Sequence, residues 1–100
     1  MDEYNRTSLH LAAAYGKEAV AAQLLQDNAS VTAVANDGWT VLHLAAANGE
    51  AQVVDLLLQA RASPTAVAKD GSTPAQRAEQ GGHTDLAARL RQAEQAPSSM

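Results

Sequence analysis

The segment Thr7-Ser8-Leu9-His10-Leu11-Ala12-Ala13-Ala14-Tyr15-Gly16 returns 33 residues later as Thr40-Val41-Leu42-His43-Leu44-Ala45-Ala46-Ala47-Asn48-Gly49. A third, degraded copy runs Thr73-Pro74-Ala75-Gln76-Arg77-Ala78-Glu79-Gln80-Gly81-Gly82 at the same offset of 33. That offset also carries Leu24 onto Leu57 and Leu90, Ala29 onto Ala62, and Gly38 onto Gly71. A period of this length constrains the fold more than any local motif. Each period must be one supersecondary unit that buries its apolar face against its neighbours.

Each unit reads as two helices. Thr7, Thr40 and Thr73 stand where an N-cap belongs, ahead of an Ala- and Leu-rich stretch, and Pro74 occupies a first helical position where a missing N–H costs nothing. Gly16, Gly49 and Gly82 end these first helices after roughly two turns. Second helices follow, at roughly 18–27, 51–60 and 84–93. In the second unit Val53, Val54, Leu56, Leu57 and Leu58 crowd that helix, which predicts packing on more than one side. Between units, Val31 to Gly38 and Pro64 to Gly71 are turn-rich and end in Asp37-Gly38 and Asp70-Gly71.

The side-chain inventory agrees with closely packed helices. Of 100 residues 46% are hydrophobic, but there is no Phe, one Trp and two Tyr, so the core must be built from Ala, Leu and Val. The net charge of −4, with Lys and Arg scattered, leaves no basic stripe for a phosphate backbone and argues against nucleic-acid binding. No cysteine is present, which excludes disulfides and thiolate metal sites and fits a reducing compartment. No apolar run approaches the ~20 residues that span a bilayer, and Met1 to Arg6 lacks a signal-peptide core. An intracellular protein, cytoplasmic or nuclear, with no membrane partner is the expectation.

The Thr-x-Leu-His-Leu-Ala-Ala-x-x-Gly pattern, the period of 33 and the Leu-Leu-x-x-x-Ala segment together resemble ankyrin repeats, over residues from about 3 to 93. The resemblance implies an all-α ankyrin-repeat solenoid of three stacked helix-turn-helix units with β-turn fingers. Residues 1–94 form the domain, with repeats at about 3–35, 36–68 and 69–94 and a disordered tail at 95–100. His10 and His43 are then structural, each ring bonding near the Thr and to neighbouring loop backbone so as to link adjacent fingers. Read alone, the two histidines with Asp55 or Asp85 still lack the ligand number and spacing of a zinc site, and no catalytic constellation is present. No enzyme and no cofactor are expected. In the family a glycine follows the second helix, in a left-handed conformation; here Asn28 and Arg61 hold those positions.

The third unit departs from the other two. Leu44 is matched by Arg77, Ala46 by Glu79, Leu56 by Arg89 and Leu58 by Arg91. Polar groups thus stand where a fourth repeat would stack, as a C-terminal cap requires. No such conversion protects the first unit, which keeps Leu9, Leu11, Ala13, Val20, Leu24 and Leu25. Either that helix pair tolerates exposure through its alanines, or a preceding repeat in a longer natural protein, or a second copy, covers that face.

The resemblance also implies a binding surface, made by finger tips and the exposed face of the short inner helices. The matching positions are Glu3, Tyr4, Arg6, Ala14 and Tyr15 in the first unit. In the second they are Asn36, Asp37, Trp39, Ala47 and Asn48, and in the third Lys69, Asp70, Ser72, Gln80 and Gly81. All three aromatic residues fall in this set, and aromatics and Arg dominate binding hot spots. Tyr4, Arg6, Tyr15, Asn36, Asp37, Trp39, Asn48, Lys69, Asp70 and Ser72 are therefore the candidate contacts for another protein. The alternative is a structural assembly segment, either a fragment of a longer repeat array or a unit self-associating through its uncapped first repeat; a monomer, at most weakly self-associating, is the expected state.

Overall fold

The computed structural model describes residues 8–27, 29, 31, 34, 35 and 38–95. Within them lie six helices: α1 (Ser8–Ala14), α2 (Glu18–Gln26), α3 (Val41–Ala47), α4 (Ala51–Gln59), α5 (Pro74–Gln80) and α6 (Thr84–Gln95). They form three antiparallel hairpins, α1/α2, α3/α4 and α5/α6. The short helix α3 packs between α1 and α5, and α2 packs on α4. Helix α6 runs through Gln95, one residue into the stretch read from sequence as tail; residues 96–100 lie outside the described residues.

The helix ends explain the period. Thr40 and Thr73 are extended N-caps, and each accepts from the backbone N–H three residues on, of His43 (3.3 Å) and Gln76 (3.2 Å). The side chains at those third positions reach back: Thr40 N–H donates to His43 Nδ1 (3.2 Å) and Thr73 N–H to Gln76 Oε1 (3.1 Å). Both are reciprocal capping boxes. At the other end, Gly49 N–H donates to the Ala46 carbonyl and Glu50 N–H to that of Ala45, the paired bonds of a Schellman motif with Gly49 at φ 71°. The same pair closes α1 at Gly16 and α5 at Gly82. It also closes α4, where Arg61 N–H donates to Leu58 and Ala62 N–H to Leu57, with Arg61 itself at φ 71°.

Burial follows the 33-residue register. Leu9, Leu42 and Ala75 are buried, as are Ala12, Ala45 and Ala78, and Ala21, Val54 and Ala87. Other positions reveal which neighbour they face. Val20 is 51% exposed, whereas its equivalents Val53 and Leu86 are 1% and 6%. That position is sealed only where a repeat precedes it. Ala13 and Ala46 are fully buried, but their equivalent Glu79 is exposed, so this position is sealed only where a repeat follows.

This directionality corrects the reading of the third unit as a uniformly polar outer face. Glu79 and Arg91 do lie on the outer side, paired with each other at 2.9 Å. Arg77 and Arg89 point back toward the second repeat. Arg89 is bonded to both carboxylate oxygens of Asp55 at 3.0 Å, and Arg77 lies over the Trp39 ring. Two of the four polar positions form the cap, and two are inter-repeat ties.

Candidate functional site

The fingers are short hairpin turns. In one, Ala35 N–H donates to the Trp39 carbonyl and Gly38 N–H to Ala35; in the next, Ala68 N–H donates to Ser72 and Gly71 N–H to Ala68. Gly38 and Gly71 take φ 81° and 86°. The same two carbonyls receive the buried histidine rings. His10 Nε2 donates to the Trp39 carbonyl at 3.0 Å and His43 Nε2 to the Ser72 carbonyl at 2.9 Å. A carbonyl can only accept, and His43 Nδ1 already accepts from Thr40, so the His43 ring carries its proton on Nε2. Each ring therefore ties an inner helix to the finger of the next repeat. Gln76, at the third equivalent position, keeps the capping box and has no further finger to reach among the described residues.

Trp39 sits half-buried at the junction of the second and third repeats. The Arg77 guanidinium lies 4.4 Å above the ring centroid, and the His43 ring is 6.0 Å away, tilted by 36°. Arg77 is held in turn by the third finger and its own helix. Its Nε donates to Ser72 Oγ (3.0 Å), one terminal nitrogen to Gln80 Oε1 (3.0 Å), and the other to Asp70 Oδ2. Asp70 also accepts from the Ser72 hydroxyl (2.7 Å) and the Ser72 N–H (3.0 Å). Those two Ser72 bonds, and after them the Arg77 charge, hold the Asp70 carboxyl below its ordinary pKa.

The described candidate residues divide accordingly. Tyr15, the residue after α1, is 70% exposed. Asn48, after α3, is exposed, and its side-chain amide donates to the Ala14 carbonyl of α1 (3.0 Å). Lys69 and Asp70 are exposed on the third finger. Ser72 is not: at 6% exposure it serves Asp70, Arg77 and the finger turn from within, because its carbonyl and hydroxyl must both be satisfied there. Among the structural motif residues, His10, Gly16, Thr40, His43, Gly49, Thr73 and Gly82 are described. Tyr4, Arg6, Thr7, Asn36 and Asp37 lie outside the described residues, as does Asn28.

Three residues on this surface escape a reading of the sequence. Val34 and Val67, 33 positions apart on successive fingers, are 51% and 61% exposed. Their common offset was available as a signal, but an aliphatic residue in an alternating turn segment reads as core. Arg77 was placed on the wrong side of its helix. Elsewhere, Ser8, Leu11, Ala12, Tyr15, Lys17 and Val20 line a shallow, mainly apolar hollow on the outer side of the first repeat.

A stack of equivalent helical hairpins, tied through fingers, defines a helical repeat solenoid. The family model for ankyrin repeats, in three copies, matches residues 9–98, and the chain belongs to the ankyrin-repeat family. Ankyrin repeats are generally protein–protein interaction modules and generally non-enzymatic. No curated protein matches the chain as a relative. No helix among the described residues is long and apolar enough to cross a membrane.

Proposed function

We propose that this chain is a non-enzymatic module that binds a protein partner, without a cofactor, through its finger and inner-helix surface. One observation carries the reading. Of the four large apolar side chains exposed among the described residues, Val34 and Val67 stand on successive fingers and Tyr15 at the end of the inner helix α1. Lys69, Asp70 and Asn48 are exposed polar members of the same proposed surface. Tyr4, Arg6, Asn36 and Asp37 belong to the same proposed surface by repeat equivalence, and Ser72 supports it from beneath. A rigid aromatic ringed by polar groups is the composition of an interface hot spot.

Affinity capture with the intact chain and with Trp39→Ala and Tyr15→Ala tests this. A partner held by the intact chain should lose about 2 kcal/mol or more of binding to either variant, roughly thirtyfold, with helical circular dichroism unchanged. A partner retained equally by both variants refutes the surface. Binding lost together with helicity makes the aromatics structural instead.

A second reading has its own observation. Val20 is exposed where Val53 and Leu86 are sealed by a preceding repeat, and the hollow beside it is apolar. That face suits assembly, with a further repeat or with a second copy of the chain. Sedimentation equilibrium distinguishes the second-copy version: association abolished by Val20→Glu supports it, and a monomer at every concentration excludes it.

A further inference from the structure

Asn48-Gly49 is the single Asn-Gly pair in the chain. We propose that it is a site of spontaneous deamidation, protected by the folded helix end, whose product unfastens the first repeat from the second. The chemistry needs no cofactor. The deprotonated backbone nitrogen of Gly49 attacks Cγ of Asn48, the bond from Cγ to the side-chain nitrogen breaks, and ammonia leaves. Water then opens the resulting succinimide at either carbonyl, leaving aspartate or isoaspartate at position 48. Nothing is oxidised or reduced.

The fold favours glycine in this pair and guards both of its reacting groups. Position 49 is the left-handed residue of a Schellman motif at φ 71°, and a Cβ there would stand 2.5 Å from Cε1 of the His83 ring. Glycine is therefore favoured there over any residue with a Cβ. The equivalent pairs, Tyr15-Gly16 and Gly81-Gly82, carry no side-chain amide, so only the second repeat has the reactive combination. In the folded chain both reacting groups are occupied. The Gly49 N–H donates to the Ala46 carbonyl (3.1 Å), and the Asn48 amide donates to Ala14 (3.0 Å). Ring closure needs Cγ to swing toward the Gly49 nitrogen, away from the observed ψ of 2°. The helix end must open first, at the C-terminal turn of α3, where Asn48 and its bond to Ala14 are solvent-exposed.

The product cannot restore what it replaced. The Asn48 amide is the donor that bridges to the last carbonyl of α1, and the product presents acceptor oxygens to that same carbonyl. The new negative charge also lies beside the C-terminal carbonyls of α1 and α3, the negative ends of both helices. Deamidation thus converts an inter-repeat tie into a repulsion, and local opening becomes progressively easier.

The test incubates the purified full chain in warm, mildly alkaline buffer, with and without denaturing urea. Peptide mapping follows the one-dalton mass gain and isoaspartate at position 48. Conversion should be several-fold faster in urea. Converted protein returned to native buffer, and independently Asn48→Asp, should melt about 4 °C or more below the starting chain. Asn48→Ala, which loses the bond without gaining charge, should fall less. Equal rates in the two solvents overturn the protection. Absence of conversion in urea overturns the site, and an unchanged melting temperature for both converted protein and Asn48→Asp overturns the consequence.

Discussion

Replacing Arg61 with glycine should stabilise this protein. Among the described residues, Arg61 is the one non-glycine with positive φ, at 71°, and it stands where Gly16, Gly49 and Gly82 stand in the other Schellman turns. It cannot relax. Moving φ to negative values would break the Arg61 N–H bond to Leu58 and the Ala62 N–H bond to Leu57, both 3.0 Å or shorter, and would lift Ala62 from the core. The left-handed conformation costs a side chain about 1–2 kcal/mol, because Cβ crowds the following carbonyl. Glycine recovers that and returns roughly 0.4–1 kcal/mol through its freer unfolded state. The net gain is about 0.5–1 kcal/mol, or roughly 2–8 °C in melting temperature for a chain of this size. Thermal unfolding by circular dichroism measures it, with Arg61→Ala as the control. Alanine keeps Cβ, so it should melt close to the starting protein. A glycine variant that melts at or below the alanine variant would refute the strain.

Three further outcomes follow from the contacts within and between the repeats. Arg77→Ala removes the cation over Trp39 and three hydrogen bonds, and should cost about 1 kcal/mol while shifting the emission of the single tryptophan; unchanged emission would show that the stacking is absent in solution. His43→Ala strands the buried Thr40 N–H and cuts the tie to Ser72, at about 2–3 kcal/mol by urea denaturation. His43→Gln restores the capping box that Gln76 makes in the third repeat, and should lose distinctly less. Asp70 has a lowered folded pKa, so its contribution to stability is complete above the unfolded value and is lost as pH falls through the folded value below it. Carboxyl NMR should place the Asp70 midpoint below that of the unfolded chain, and Asp70→Asn should remove that segment of the acid dependence; a midpoint at or above the unfolded one counts against the Ser72 and Arg77 bonds.

Much of this architecture is written in local chemistry, and for that reason it could be read from the chain. Capping and left-handed turns depend on residues within a few positions of one another. Thr40, Thr73, Pro74, Gly16, Gly49 and Gly82 therefore mark their helix ends without reference to the rest of the molecule. The period of 33 adds equivalence: Leu9 and Leu42 take the same place within their hairpins. Equivalence carries no direction, however. Leu44 and Ala46 are both buried, one toward the preceding repeat and the other toward the following one, and nothing in an apolar side chain distinguishes the two. Only stacking decided that Arg77 and Arg89 reach back while Glu79 and Arg91 face outward. The same holds for Ser72, sealed beneath Arg77, and for Val34 and Val67, left open on their fingers. Exposure is a property of the space between repeats, set by contacts more distant in sequence than any cap or turn.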